Sequence, residues 1–171
     1  MTVEVVPAFL FDDGRVWVCD TASNGAYKIV APTAEIANFD WHDQQTNGNL
    51  RALVRMAKQW QRQSNANDLK SFQIELLAID FLKQWPYRAN SVFWYDWMVR
   101  DFFAYLHGRA NSFVSFPTTV ELSWVGDGWQ ARAQRAYRHA AQACEYETSN
   151  QNTAAGWEWQ QIFGSAVPLT A

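Results

Sequence analysis

NLRALVRMAKQWQRQSNANDLKSFQIELL, residues 49–77, reads as two helices joined by a polar turn. At 100° per residue, Leu50, Leu53, Val54, Ala57 and Trp60 fall on one apolar stripe. Arg51, Arg55, Lys58 and Arg62 fall together on the stripe beside it. The spacing predicts a first helix over roughly 47–62. Ser64-Asn65-Ala66-Asn67 then reads as a loop, and Asp68 as the N-cap of a second helix running from Leu69 to Lys83. Four cations on one face of a chain with formal net charge −3 point to a local anion site rather than general basicity. The second helix opens with Lys70-Ser71-Phe72, where free backbone N–H groups and the macrodipole also favour phosphate. Charge stripes opposite a core are common, so spacing alone favours a solvated basic face.

Working outward, Phe72, Leu76 and Ile79 line one side of the second helix, and Ile74, Leu77 and Phe81 the other. A helix apolar nearly all round is a buried central one. Trp85-Pro86 stops it. Ser91 to His107 repeats the helical pattern and ends at Gly108, a C-cap residue. A polar loop carries the chain past Pro117 and Gly126. Asp127 to Glu147 is Ala-rich and helical, with Ala133, Ala136, Ala140 and Ala143 permitting close helix packing. A last helix spans Thr153 to Phe163 and ends at Gly164. Upstream, Val3 to Phe11 and Arg15 to Cys19 are β-rich runs joined through the hairpin signal Asp12-Asp13-Gly14. Tyr27 to Val30 adds a short strand, and a short helix follows Thr33. The fold class is therefore α+β and mostly α. Two or three strands are marginal by themselves and call for a partner sheet or a helix over them, which points to sequence before Met1.

At 171 residues and 49% hydrophobic content, one domain with a sizeable core is the natural count. Ten Trp are many, and an aromatic-rich helical core with paired indole N–H groups accounts for most of them. Cys19 and Cys144 fit no metal spacing and no disulfide framework, as expected in a reducing cytoplasm. His42, His107 and His139 lack partners at metal or triad spacing and read as surface or capping residues. No run is long and apolar enough to span a bilayer, and the first residues are not a signal peptide. The acidic balance argues against strong nucleic-acid binding. No Gly-x-Ser-x-Gly elbow, Walker loop or zinc motif is present.

Four blocks, in order, resemble a known family. They are Val3-Glu4-Val5-Val6-Pro7-Ala8-Phe9; Leu53-Val54-Arg55-Met56-Ala57-Lys58-Gln59-Trp60; Leu69-Lys70-Ser71-Phe72-Gln73-Ile74-Glu75-Leu76-Leu77; and Ala154-Ala155-Gly156-Trp157 with Trp159-Gln160-Gln161-Ile162-Phe163-Gly164 and Pro168. The chain resembles the C-terminal half of the oligoadenylate synthetase and cyclic GMP-AMP synthase-like nucleotidyltransferases, in particular the bacterial CD-NTases. These make cyclic oligonucleotide signals in anti-phage defence. The resemblance implies that residues 1–32 are the last strands of a nucleotidyltransferase core and residues 33–171 a helical C-terminal domain. It implies NTP substrates and Mg²⁺ or Mn²⁺ in the complete enzyme, with Glu4 as the third metal-binding carboxylate. Lys58 and Ser71 would hold the donor triphosphate, Phe72 would stack on the base, and Glu75 would orient Ser71 or Lys58.

The departures are equally specific. The family's Gly-Ser loop and Asp-x-Asp pair are absent; Asp40 and Asp43 are spaced wrongly for that pair. Glu4 replaces the usual Asp. An expected Asp-Pro is missing where Ser115-Phe116-Pro117-Thr118 stands. Two metal ions need converging carboxylates, so no residue here is expected to be catalytic alone and the isolated chain is expected to be inactive. It would need an N-terminal catalytic half, in the same or a partner chain. The alternative is a non-catalytic helical module that binds a nucleotide or a protein.

Overall fold

The computed structural model describes residues 7–20, 26–117 and 121–169. Glu4 lies outside the described residues. Three antiparallel strands come first: β1 (Ala8–Leu10), β2 (Val16–Asp20) and β3 (Ala26–Val30), in the order β1-β2-β3. Phe9 pairs with Trp17, and Trp17 with Ile29. The expected hairpin forms at Asp12-Asp13-Gly14. Gly14 donates to the Phe11 carbonyl at 3.0 Å and takes φ 82°, a conformation that costs glycine little. Asp13 Oδ1 accepts from the Arg15 N–H at 3.0 Å and closes the turn.

Six α-helices follow: α1 (Pro32–Gln45), α2 (Asn49–Ser64), α3 (Ser71–Gln84), α4 (Tyr95–His107), α5 (Gln130–Thr148) and α6 (Asn152–Phe163). The α1 helix is longer than its sequence signal and starts with Pro32 at its first position, where a missing N–H is harmless. At the start of α2, Thr46 Oγ1 accepts from the Leu50 N–H at 3.2 Å and Asp43 Oδ1 from the Arg51 N–H at 2.8 Å. Leu50, Leu53, Val54, Ala57 and Trp60 are all buried, as their stripe required. Leu53→Ala would cost about 2–5 kcal/mol at such a site. The α3 helix is the central one, with Ile74 and Leu77 fully enclosed and Phe81 4% exposed. It stops where Trp85 turns extended ahead of Pro86. The alanines at 133, 136, 140 and 143 are buried where α5 packs against α4 and α6.

Several expectations are corrected. The N-cap of α3 is Lys70, not Asp68, because the Gln73 side chain accepts the Lys70 N–H at 2.9 Å. Asp68 instead faces Arg132 at 3.9 Å. Gly108 is the C-cap of α4 as expected, but in right-handed geometry, and the left-handed residue that follows is Asn111. The polar loop after α4 contains a second antiparallel pair, β4 (Phe113–Ser115) and β5 (Leu122–Trp124). Only Trp60, Trp85 and Trp129 among the tryptophans are buried; Trp17, Trp41, Trp97, Trp124 and Trp157 are exposed. No helix among the described residues is long and apolar enough to cross a membrane.

Candidate functional site: the α2–α3 corner

The turn between α2 and α3 folds the two helices against each other, as the apolar stripe of α2 and the all-round apolarity of α3 demand. This brings Lys58 to Glu75, seventeen residues away, with Lys58 Nζ donating to Glu75 Oε1 at 2.5 Å. The two side chains stay 33% and 37% exposed. An ammonium has three donors, so Glu75 fixes the Lys58 head and leaves two donors for a ligand. Ser71 is the first residue of α3 and is exposed. No side chain caps the N–H groups of that first turn beyond the Gln73–Lys70 contact, and they remain available to an anion.

The start of α3 is held in place by Gln73, 2% exposed. Its amide nitrogen donates to Ser123 Oγ at 3.0 Å and to the Trp124 carbonyl at 2.9 Å. The apolar pattern of α3 gives this residue no role. Its signal was a Gln at the third helical position, where a side chain reaches back to the cap. Phe72 is half-buried and stacks on Phe116, with ring centroids 5.3 Å apart and planes at 25°. Lys70 Nζ stands 6.0 Å from the Phe72 centroid. Phe39, Phe72, Glu75, Leu76 and Phe116 line a groove of about 50 Å³, far below the ~300 Å³ of an ordinary ligand pocket. A base stacked on Phe72 would have to displace Phe116 or lie outside this groove.

The basic stripe is divided among neighbours. Arg51 reaches Asp40 at 2.7 Å and Asp43 at 3.2 Å on α1, which gives those two carboxylates a structural task. Arg62 donates to Gln59 Oε1 at 3.1 Å. Arg55 lines a separate cavity with Met56 and Gln59. Lys58 alone among the four pairs with a residue in the first half of α3. Glu4, the proposed metal ligand, lies outside the described residues. Among those residues, the one group of three metal-ligand side chains contains Asp96, Cys144 and Glu147 and none of Lys58's neighbours. The described residues therefore do not form a two-metal carboxylate site here. The histidines are half-buried: His139 pairs with Glu158 at 2.6 Å and His42 packs edge-on against Trp41.

The short sheet ahead of a helical body is a CD-NTase-like fold, nucleotidyltransferase-like in architecture. A solved structure that shares this fold is E. coli MS115-1 CdnC with ATP, which matches at a TM-score of 0.75 and 19% identity. The match covers 95% of this chain and 59% of CdnC, so the chain spans somewhat over half of that protein. At this identity the likeness is one of fold. No family model and no curated protein matches the sequence.

Proposed function

We propose that this chain is the C-terminal portion of a template-independent nucleotidyltransferase that joins NTPs into cyclic or linear oligonucleotide second messengers for anti-phage defence. The observation that carries the reading is the Lys58–Glu75 pair at 2.5 Å beside the uncapped start of α3. Lys58 lends two free ammonium donors to the donor triphosphate. The Ser71 hydroxyl and the adjacent N–H groups take further phosphate oxygens, and Phe72 offers its ring to the base. Glu75 positions Lys58. The fold shared with CdnC, solved with ATP, supports a nucleotide as the ligand class. The metals and the remaining carboxylates belong, on this reading, to an N-terminal catalytic half, with Glu4 as this chain's contribution. The chain alone is then inactive, and an Asp-x-Asp pair is expected in the sequence encoded upstream of Met1.

The test is kinetic, on the complete enzyme. A charge-assisted contact to phosphate is worth roughly 1.5–3 kcal/mol, so Lys58→Ala should lower kcat/KM for NTP by about ten- to a hundredfold. Arg51→Ala and Arg62→Ala should change it little, because Arg51 is committed to α1 and Arg62 to Gln59. Equal, small losses in all three variants, each folded by thermal melt, would reduce the corner to an ordinary basic face. The second reading is a non-catalytic module that binds a nucleotide or docks a protein, the exposed aromatic face of β1–β3 being then a partner surface. Nucleotide binding that is indifferent to Lys58 and Ser71 would favour it.

A further inference from the structure

We propose that Asp96, Cys144 and Glu147 form a binding site for one zinc-type divalent cation, held by a thiolate and two carboxylates with a fourth position open to solvent. Asp96 lies in the first turn of α4, and Cys144 and Glu147 lie three residues apart near the end of α5. The close approach of α4 and α5 over small side chains brings the three together. Their ligand atoms all lie within 4.8 Å of one another. Around a tetrahedral ion with bonds of about 2.0–2.3 Å, such atoms stand roughly 3.3–3.8 Å apart, a distance that small side-chain rotations reach.

The cluster is unfinished as it stands. Asp96 Oδ1 is sealed from solvent without a hydrogen-bond partner. The Cys144 residue is 6% exposed, and its thiol makes no hydrogen bond to the described residues. The Asp96 and Glu147 carboxyls meet beside the buried thiol, and two carboxyls packed together are costly unless a proton or a cation lies between them. A cation between them would satisfy both. Trp159 Nε1 donates to Glu147 Oε1 at 2.7 Å, the kind of outer contact that orients a metal-binding carboxylate. A sulfur donor beside two oxygens suits Zn²⁺ and its borderline neighbours rather than Mg²⁺ or Ca²⁺, which take oxygen alone.

There is also a way in. A cavity of about 450 Å³, walled by Tyr95, Val99, Trp159 and Phe163, has Asp96 and Glu147 in its lining. It gives an ion a path and leaves room for a water at the fourth position. Burial pushes the Cys144 thiol up to about 12, so it carries its proton at neutral pH in the metal-free protein. Coordination forms the metal–sulfur bond and releases that proton to solvent.

The test uses the whole chain, stripped with a chelator and then freed of it. Zn²⁺ should bind at one equivalent by calorimetry. Co²⁺ in its place should give a thiolate-to-metal charge-transfer band and tetrahedral visible bands. Cys19→Ser should leave both unchanged. Cys144→Ser should abolish the charge-transfer band, and Asp96→Asn should weaken Zn²⁺ binding at least a hundredfold. Trp159→Phe, which keeps all three ligands, should weaken it about ten- to a hundredfold. A wild-type protein with no thiolate band, or Zn²⁺ binding unchanged in folded Cys144→Ser and Asp96→Asn, overturns the proposal. Should those two variants fail to fold, the wild-type Co²⁺ spectrum together with Trp159→Phe decides it.

Discussion

Gln73→Met is the sharpest probe of how the α2–α3 corner is built. Gln73 is 2% exposed and makes three hydrogen bonds through its side chain, to Ser123 Oγ, to the Trp124 carbonyl and from the Lys70 N–H. Methionine keeps the length and helix propensity but removes all three. At a net 0.5–1.5 kcal/mol each, the loss is about 1.5–4.5 kcal/mol. A chain of this length loses roughly 2–4 °C in Tm per kcal/mol, so the melt should fall by about 3–18 °C. Urea unfolding at constant m-value should report the same free energy. Gln73→Glu separates the contributions. It keeps the acceptor for Lys70 but sets a carboxylate against the Trp124 carbonyl, so at neutral pH it should be the less stable variant. A loss under about 0.5 kcal/mol for Gln73→Met, below the net worth of one hydrogen bond, would mean that the β4–β5 hairpin stands without this anchor. The account of how α3 is fixed would then be wrong.

Two further predictions concern the first helices. Arg51→Ala removes an exposed double ion pair from α1 to α2, and should lower the melting temperature slightly in low salt and hardly at all in 1 M salt. An equal loss at both salt concentrations would assign its role to packing on Phe39, whose ring lies 5.5 Å from the guanidinium. His42 is held below its ordinary value by burial, then by the Lys83 charge, with Asp80 opposing. The fold favours its neutral form, so its contribution is present above about pH 6.5 and lost as pH falls through the lower folded value. His42→Gln should flatten that part of the stability profile between pH 7 and 5 in urea titrations. An unchanged profile would show that His42 is not the group that titrates.

The elements that sequence predicted well are those whose signal is local. The α2 stripe repeats every three to four residues for about three turns, long enough to fix both the helix and its buried face. The Asp12-Asp13-Gly14 turn carries its own chemistry, in a glycine at φ 82° and an aspartate that closes on Arg15. The β4–β5 hairpin had no such signal. Each strand is three residues long, and what holds the pair is a glutamine some fifty residues earlier in the chain. Asp68 was the best capping residue type in its neighbourhood, yet Gln73 won because its side chain also bonds β5. The cation stripe and the helix start mark Lys58 and Ser71 in the sequence and the resemblance gives them roles, but the pairing of Lys58 with Glu75 depends on how two helices pack, and no spacing along one helix encodes it.

The same distinction explains the tryptophans and the cysteines. Composition implies that apolar area must be buried somewhere, but not that this chain buries it. Phe9, Trp17 and Tyr27 share one face of the three-stranded sheet and remain 66%, 43% and 53% exposed. Strands this short are seldom stable with an open aromatic face. Under the proposed function, that face is where the rest of a nucleotidyltransferase core packs, and it accounts for aromatic residues that a helical body alone does not use. In the sequence Cys144 has no second cysteine or histidine at metal-ligand spacing. Its candidate partners are Glu147, one turn along the same helix, and Asp96, on the preceding helix. A carboxylate three residues from a cysteine is too common in sequence to mean anything until a neighbouring helix supplies the third donor. The packing of α4 on α5 turns an unremarkable pair into a possible ligand set.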